Sequence, residues 1–228
     1  MQLDARLQAV ADFVEPGSRV ADVGTDHAYL SVALVESGKA RFVIATDKNP
    51  GPCEAARRSL RALGHSDRIE VRLGDGLLTL VPGEADTLCL AGMGGSLMER
   101  ILVARPEVVA AAKMLILQPQ SAAADLRAWL YGQAWHIADE NLALADGRLY
   151  EIIKALPGSR PCPSPLMLAI GPKLWEKKPP YLKEHIEALI FQARRVAAGM
   201  ERSRSAKESS RYLAVKERIS ELEAKLKW

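Results

Sequence analysis

Between residues 19 and 118 the chain repeats one pattern: a short apolar run, a polar or glycine-containing turn, then most often a segment with helical spacing. The apolar runs are 19–24, 42–46, 69–73, 87–91 and 114–118, and the spacing predicts helices over 27–36, 54–63, 96–103 and 122–131. Strands buried on both faces read as near-continuous apolar runs, and strands joined by helices pair in parallel. An α/β fold follows, its mostly parallel sheet covered on both sides. Ahead of it, Leu3, Leu7, Val10 and Val14 share one face of a short helix that Pro16-Gly17 ends. Behind it, 136–144 and 149–155 flank Ala145-Asp146-Gly147, the pattern of a hairpin that brings in an antiparallel strand.

Pro157, Pro161, Pro163 and Pro165 mark a boundary, so the expected domains are 1–157 and 158–228. Beyond it, Leu182, Ile186, Leu189, Ala193, Val196 and Met200 form one heptad seam, and Tyr212, Val215, Ile219, Leu222 and Leu226 form another. The polar stretch 201–210 separates them. The expectation is an α-helical coiled-coil hairpin; one continuous helix that dimerises is the alternative.

Charge follows the same division. Residues 1–155 hold 16 Lys and Arg against 20 Asp and Glu, a net of −4, while residues 156–228 hold 15 against 8, a net of +7. An acidic body with a basic tail suits a small-molecule site in one part and a polyanion contact in the other. Cys53, Cys89 and Cys162 are too far apart for a metal site or a disulfide framework. No apolar run reaches the roughly 18 residues of a membrane span, and the start lacks the basic-then-apolar pattern of a signal peptide. A soluble cytoplasmic protein without a metal is expected, with a monomer favoured.

In open parallel sheets ligands bind at the carboxyl ends of the strands. The first such end is Gly24, where the chain permits close approach of a ligand. Asp26 and Ala28 stand where a dinucleotide fingerprint would have further glycines, and Asp26 would repel a pyrophosphate. A cationic or zwitterionic ligand such as S-adenosylmethionine tolerates that acid. Asp47, 23 residues after Gly24, can accept from both ribose hydroxyls or else cap the helix near Pro50. Gly74-Asp75-Gly76 leaves room for a flat adenine, with Asp75 accepting from its amino group, or forms a plain turn. Ala91-Gly92-Met93-Gly94-Gly95 lets a substrate and a cofactor approach the backbone. Gln118-Pro119-Gln120 offers amides near the same rim.

Six segments occur in order: Ala-Asp-Val-Gly-Thr-Asp-His-Ala-Tyr-Leu (21–30), Ala-Thr-Asp-Lys-Asn-Pro-Gly-Pro (45–52), Gly-Asp-Gly-Leu (74–77), Ala-Gly-Met-Gly-Gly (91–95), Leu-Gln-Pro-Gln (117–120) and Leu-Tyr-Glu-Ile-Ile (149–153). Together they resemble the bacterial tRNA (adenine(22)-N(1))-methyltransferase family. The resemblance implies a class I methyltransferase Rossmann-like sheet, mostly parallel with one antiparallel strand, plus a C-terminal coiled-coil hairpin. Five crossover strands and a closing hairpin are the element order of that fold, although alternation alone permits other doubly wound sheets. The resemblance further implies S-adenosyl-L-methionine as cofactor and an adenine of the tRNA D-loop region as methyl acceptor, with Lys48 and Asn49 beside Asp47 in the cofactor site.

The residues fit that chemistry. Enzymes that methylate exocyclic amines commonly carry an Asn/Asp-Pro-Pro-aromatic loop after the fourth strand, and this chain has Ala-Gly-Met-Gly-Gly there. Ring N1 of adenine already has an in-plane lone pair, so positioning is the main requirement. Asp26 is the first candidate to stabilise the charge that develops on the base, or it contacts the cofactor. Tyr29 stacks on a base or packs in its helix. His27 serves in catalysis or holds the loop. Exposing N1 costs roughly a few kcal/mol of unpairing, which backbone contacts offset. Lys173, Lys177, Lys178, Lys183, Arg194, Arg195, Arg202, Arg204, Lys207 and Arg211 are the candidate contacts. The competing reading is a small-molecule methyltransferase whose tail serves dimerisation.

Overall fold

The computed structural model describes residues 2–25, 27–202 and 204–228. They fall into two compact units, 1–162 and 163–228.

The first unit runs α1 (Ala5–Asp12), β1 (Ser18–Val23), α2 (Tyr29–Glu36), β2 (Ala40–Asp47), α3 (Pro50–Leu63), β3 (Ile69–Leu73), β4 (Thr87–Met93), α4 (Gly95–Val103), α5 (Pro106–Ala111), β5 (Met114–Pro119), α6 (Ala123–Gly132), β6 (Trp135–Ala145) and β7 (Arg148–Pro157). The seven strands form one sheet in the order β3-β2-β1-β4-β5-β7-β6. β1 to β5 pair in parallel, and β7 runs antiparallel to both β5 and β6. This is the Rossmann-like methyltransferase sheet, mostly parallel with one antiparallel strand. Alternation along the strands feeds two cores. Ala21, Ile44, Leu88 and Leu115 pack under α4, α5 and α6, while Val20, Val43, Cys89 and Ile116 pack under α1, α2 and α3. Burial on both faces is why these strands read as unbroken apolar runs. A buried ion triad fastens α6 to the hairpin: Arg127 donates to Glu140 and to Glu151, each at 2.6 Å.

Three boundaries differ from the sequence expectation. α3 begins at Pro50 rather than at residue 54, with Asn49 as its N-cap; proline's missing N–H costs nothing in a first turn. α5 is an extra six-residue helix, again opened by proline. The first unit extends to 162 because Gly158 remains tied to it: its N–H donates to the Ala134 carbonyl at 2.8 Å, and its own carbonyl lies 3.2 Å from His136 Nδ1.

The second unit holds α7 (Pro165–Ile170), α8 (Pro172–Lys177), α9 (Leu182–Met200), α10 (Arg204–Lys207) and α11 (Ser210–Lys225). The pairs Arg194–Glu223 and Tyr212–Glu201 show that α9 and α11 run antiparallel. The α11 seam is the expected one, with Ile219 and Leu222 buried. On α9 the seam drifts: Ile190 and Ala197 are buried, and Val196 is 46% exposed. A helix with 3.6 residues per turn slips out of a strict 3.5 register within two heptads. No described helix is long and apolar enough to cross a membrane.

Candidate active site at the carboxyl edge of the sheet

The strand order reverses at β1, which has β2 on one side and β4 on the other. The crevice outside the carboxyl ends of β1 and β4 is therefore the switch point where ligands bind in open α/β sheets. Hydrogen bonds stitch its rim together. The N–H groups of Gly24 and Thr25 both donate to the Thr46 carbonyl, at 2.8 and 2.9 Å, and Gly74 N–H donates to the Asp47 carbonyl at 2.8 Å. Gln120 N–H donates to the Met93 carbonyl and Gly95 N–H to the Ser121 carbonyl, both at 2.8 Å.

Gly24 has φ +77°, and a Cβ there would lie 2.1 Å from Met93 Cε. The flexible thioether of Met93 fills the space that a side chain at Gly24 would take. After Gly24 the chain reaches α2 through His27 and Ala28, at φ +53° and +60°. The left-handed turn is made without glycine, at roughly 1–2 kcal/mol per residue. Asp26 lies outside the described residues. His27 and Tyr29 stack, with centroids 5.5 Å apart and planes 20° from parallel, and Tyr29 is 46% exposed.

Beneath this turn sits a residue that the sequence reading did not single out. Asp22 is buried on β1 and accepts from Ser31 Oγ at 2.6 Å and Thr25 Oγ1 at 2.9 Å. Burial pushes its carboxyl above the ordinary range, against the lowering by those two hydroxyls, and the nearby Asp47 carboxylate adds to the rise. Its pattern signal was an acid inside an apolar strand, where an unpartnered carboxylate would be prohibitive.

Asp47 ends β2 half-buried and accepts from Asn49 N–H through Oδ1 at 2.8 Å. Asn49 is itself the N-cap of α3, so Asp47 is not the cap. Lys48 and Asn49 are exposed beside it. The glycines after β3 have neighbours of their own: a Cβ on Gly74 would meet Thr79 Cγ2 at 2.2 Å, and one on Gly76 would meet Ile101 Cγ2 at 2.9 Å. Both glycines thus pack closely against these side chains in the direction a Cβ would take. Asp75, between them, is exposed.

At the end of β4, Ala91 and Met93 are half-buried, as is Gly94 just beyond it. Gly94 and Gly95 are required by packing, because a Cβ would meet Ser121 Oγ at 2.9 Å and the Ala122 carbonyl at 2.6 Å. Gly92 is different. It is exposed, has φ +78°, and a Cβ there would make only ordinary contacts, with Arg6 Nη1 at 3.8 Å and Gln120 Nε2 at 3.9 Å. Gln118 does not offer its amide outward: fully buried, it accepts from Gly92 N–H and from Arg6 Nη1, both at 3.0 Å.

A methyltransferase-domain family model matches residues 3–153. The tRNA (adenine(22)-N(1))-methyltransferase of Bacillus subtilis is 40% identical over 160 residues, which cover 70% of this chain and 67% of that protein. The chain belongs to the tRNA (adenine(22)-N(1))-methyltransferase family. The solved structure of the B. subtilis m1A22 enzyme TrmK superposes with a TM-score of 0.83 at 31% identity, over 99% of this chain and 96% of that one. Streptococcus pneumoniae Sp1610 in complex with S-adenosyl-L-methionine gives 0.87 at 30% identity, over 99% and 100%. The matched methyltransferase domain lies within the first unit.

The basic residues of the second unit are not equivalent. Lys177, Lys183, Arg195, Arg202, Lys207 and Arg211 are exposed. Lys173 pairs with Glu176 at 2.5 Å and Arg194 with Glu223 at 2.7 Å. The side chain of Arg204 lies outside the described residues. Lys178 departs from the expectation of a phosphate contact: its ammonium is buried over the Trp175 ring, 4.6 Å from the Trp228 centroid, with no hydrogen-bond partner. Burial, with Lys225 nearby, pulls its pKa down. Among the described residues no group of three or more His, Cys, Asp or Glu is placed to hold a metal.

Proposed function

We propose that this chain transfers a methyl group from S-adenosyl-L-methionine to N1 of adenine 22 in tRNA. The observation that carries the reading is exposed Gly92 at the end of β4, set in a segment, 91–95, whose side chains include no proton acceptor. An exocyclic amine needs such an acceptor; a ring nitrogen with an in-plane lone pair does not. When bound, S-adenosylmethionine supplies an electrophilic methyl on a sulfonium centre.

The rim suits that cofactor. Asp47 Oδ2 is left for a ribose hydroxyl, because Oδ1 is engaged by Asn49. The Gly24 turn lacks a Cβ, and the flexible Met93 methyl above it can yield. Lys48, Asn49 and Asp75 are exposed on the same edge. Asp26 is assigned to stabilise the charge that appears on the methylated base, Tyr29 to stack on it, and His27 to orient Tyr29. No base is required before attack, so the chain's work is orientation and exclusion of competing geometry.

The second unit, 163–228, carries 14 Lys and Arg against 8 Asp and Glu, a net of +6, and is assigned to the tRNA backbone. With tRNA as substrate the enzyme works in the cytoplasm, and its three free cysteines suit a reducing compartment. A monomer carries both functions in one chain. The test is to incubate the full chain with S-adenosylmethionine and unmodified tRNA, then map the product by nuclease digestion and mass spectrometry. N1-methyladenosine at position 22 is expected; methylation of another nucleotide, or of small molecules only, overturns the reading.

A further inference from the structure

Beside Gly92 the rim carries a cationic cluster that none of the roles above uses. Arg6 of α1 and Arg148 of β7 both lie over the ring of Tyr150, at 5.7 and 5.4 Å from its centroid. They come from opposite ends of the first unit and meet at the carboxyl ends of β4 and β5. Each is tied to that edge. Arg6 Nη1 donates to Gln118 Oε1 at 3.0 Å, and Arg148 Nη2 donates to the Gln120 carbonyl at 3.5 Å. Arg6 also has an Asp4 oxygen 3.7 Å from Nη2, a loose pair at the surface. Arg148 is exposed and Tyr150 half-buried.

Both guanidiniums lie within about 6 Å of one ring centroid, so two positive charges share this patch of the rim, and the ring offsets only part of their repulsion. The pairing therefore favours an anion. It also runs against the local balance, since residues 1–162 hold 17 Lys and Arg against 20 Asp and Glu. Arginine presents planar donors that fit phosphate oxygens in a bidentate way. We infer that Arg6 and Arg148, braced by Tyr150, bind a phosphodiester of the tRNA strand next to the adenosine being methylated. The inference rests on the functional reading above and extends it: the first unit grips the target strand itself, so tRNA affinity does not come from the helical unit alone. The position is apt, because Arg6 borders exposed Gly92, its Nη1 3.8 Å from where a Cβ would lie, and a phosphate gripped there fixes where the attached nucleoside can swing.

Arg148 is the residue to test, being exposed and outside the Gln118 hydrogen bonds. Arg148→Glu is expected to raise KM for tRNA about tenfold, with kcat at saturating tRNA and affinity for S-adenosylmethionine near wild type. The slope of log affinity against log salt should fall by about one, and Arg148→Lys should recover part of the loss. Tyr150→Leu, which removes the ring under both guanidiniums, should move KM in the same direction. A tRNA KM and salt slope unchanged in Arg148→Glu, or a loss that is the same at low and high salt, overturns the assignment while leaving the functional reading intact. Absence of N1-methyladenosine at position 22 with the wild-type chain overturns that reading, and this inference with it.

Discussion

Gln118 Oε1 accepts a hydrogen bond from the Gly92 backbone N–H at 3.0 Å, so a side chain at the end of β5 sets the conformation of the loop that ends β4. The same oxygen holds Arg6, and Gln118 Nε2 donates to the Pro119 carbonyl at 3.2 Å. One buried amide thus organises the rim at the ends of β4 and β5. Gln118→Leu should lower stability by about 1–3 kcal/mol, the usual range for stranding a buried hydrogen-bonded group, and lower kcat/KM about tenfold or more. Gln118→Glu keeps the acceptor and should retain more activity. Steady-state kinetics with thermal unfolding of both variants checks this; equal losses in the two would mean that the acceptor is unimportant.

On the cofactor side, Asp47→Ala should weaken S-adenosylmethionine by about 1.5–3 kcal/mol, the value of hydrogen bonds to a charged group. Removing the carboxylate also opens the turn to Asn49, so Asp47→Asn, which keeps an oxygen acceptor there, is the control. Calorimetry that finds wild-type affinity in both variants would confine Asp47 to the turn.

The parallel core was legible because strands buried on both faces read as near-continuous apolar runs: 42–46 and 114–118 fall within β2 and β5. What escaped were elements whose punctuation has two meanings. Pro165 closes the stretch that reads as a boundary, yet it opens a helix from the first turn. In the site, the glycines at 74 and 76 pack against Thr79 and Ile101 on the side a Cβ would take, contacts that no local pattern announces. Arg6 and Arg148 are 142 residues apart, and no local pattern announces that Tyr150 brings them together.

Asp22 gives the fold a pH signature. Burial lifts its folded-state pKa above the ordinary 3.8, so the proton binds more tightly in the folded chain. Its contribution to stability is therefore fully present below the unfolded value and is lost as pH rises through the folded one. Asp22→Asn keeps an acceptor for Ser31 and Thr25 but cannot ionise. Relative to wild type, the variant should gain stability as pH rises from about 4 toward neutrality. Unfolding midpoints of both proteins across that window provide the check; a constant offset would mean that Asp22 titrates normally.

Lys178 and Lys183 are five residues apart and should respond in opposite ways to substitution. The Lys178 ammonium is buried over Trp175, which meets Trp228 edge-on with centroids 5.9 Å apart. It contributes to the fold of the helical unit and is hidden from a polyanion. Lys178→Met keeps the apolar stem against both indoles and removes a charge whose burial is unfavourable. Its tRNA affinity should stay within about twofold of wild type, and its unfolding midpoint should hold or rise. Lys183 is exposed on α9, off the buried seam of Leu182, Ile186 and Ile190. Lys183→Glu should leave the helix folded, weaken tRNA binding, and lower the salt slope by about one. Titrating labelled tRNA at two salt concentrations separates the two residues. A large loss in Lys178→Met with an unchanged unfolding midpoint would return Lys178 to the RNA surface.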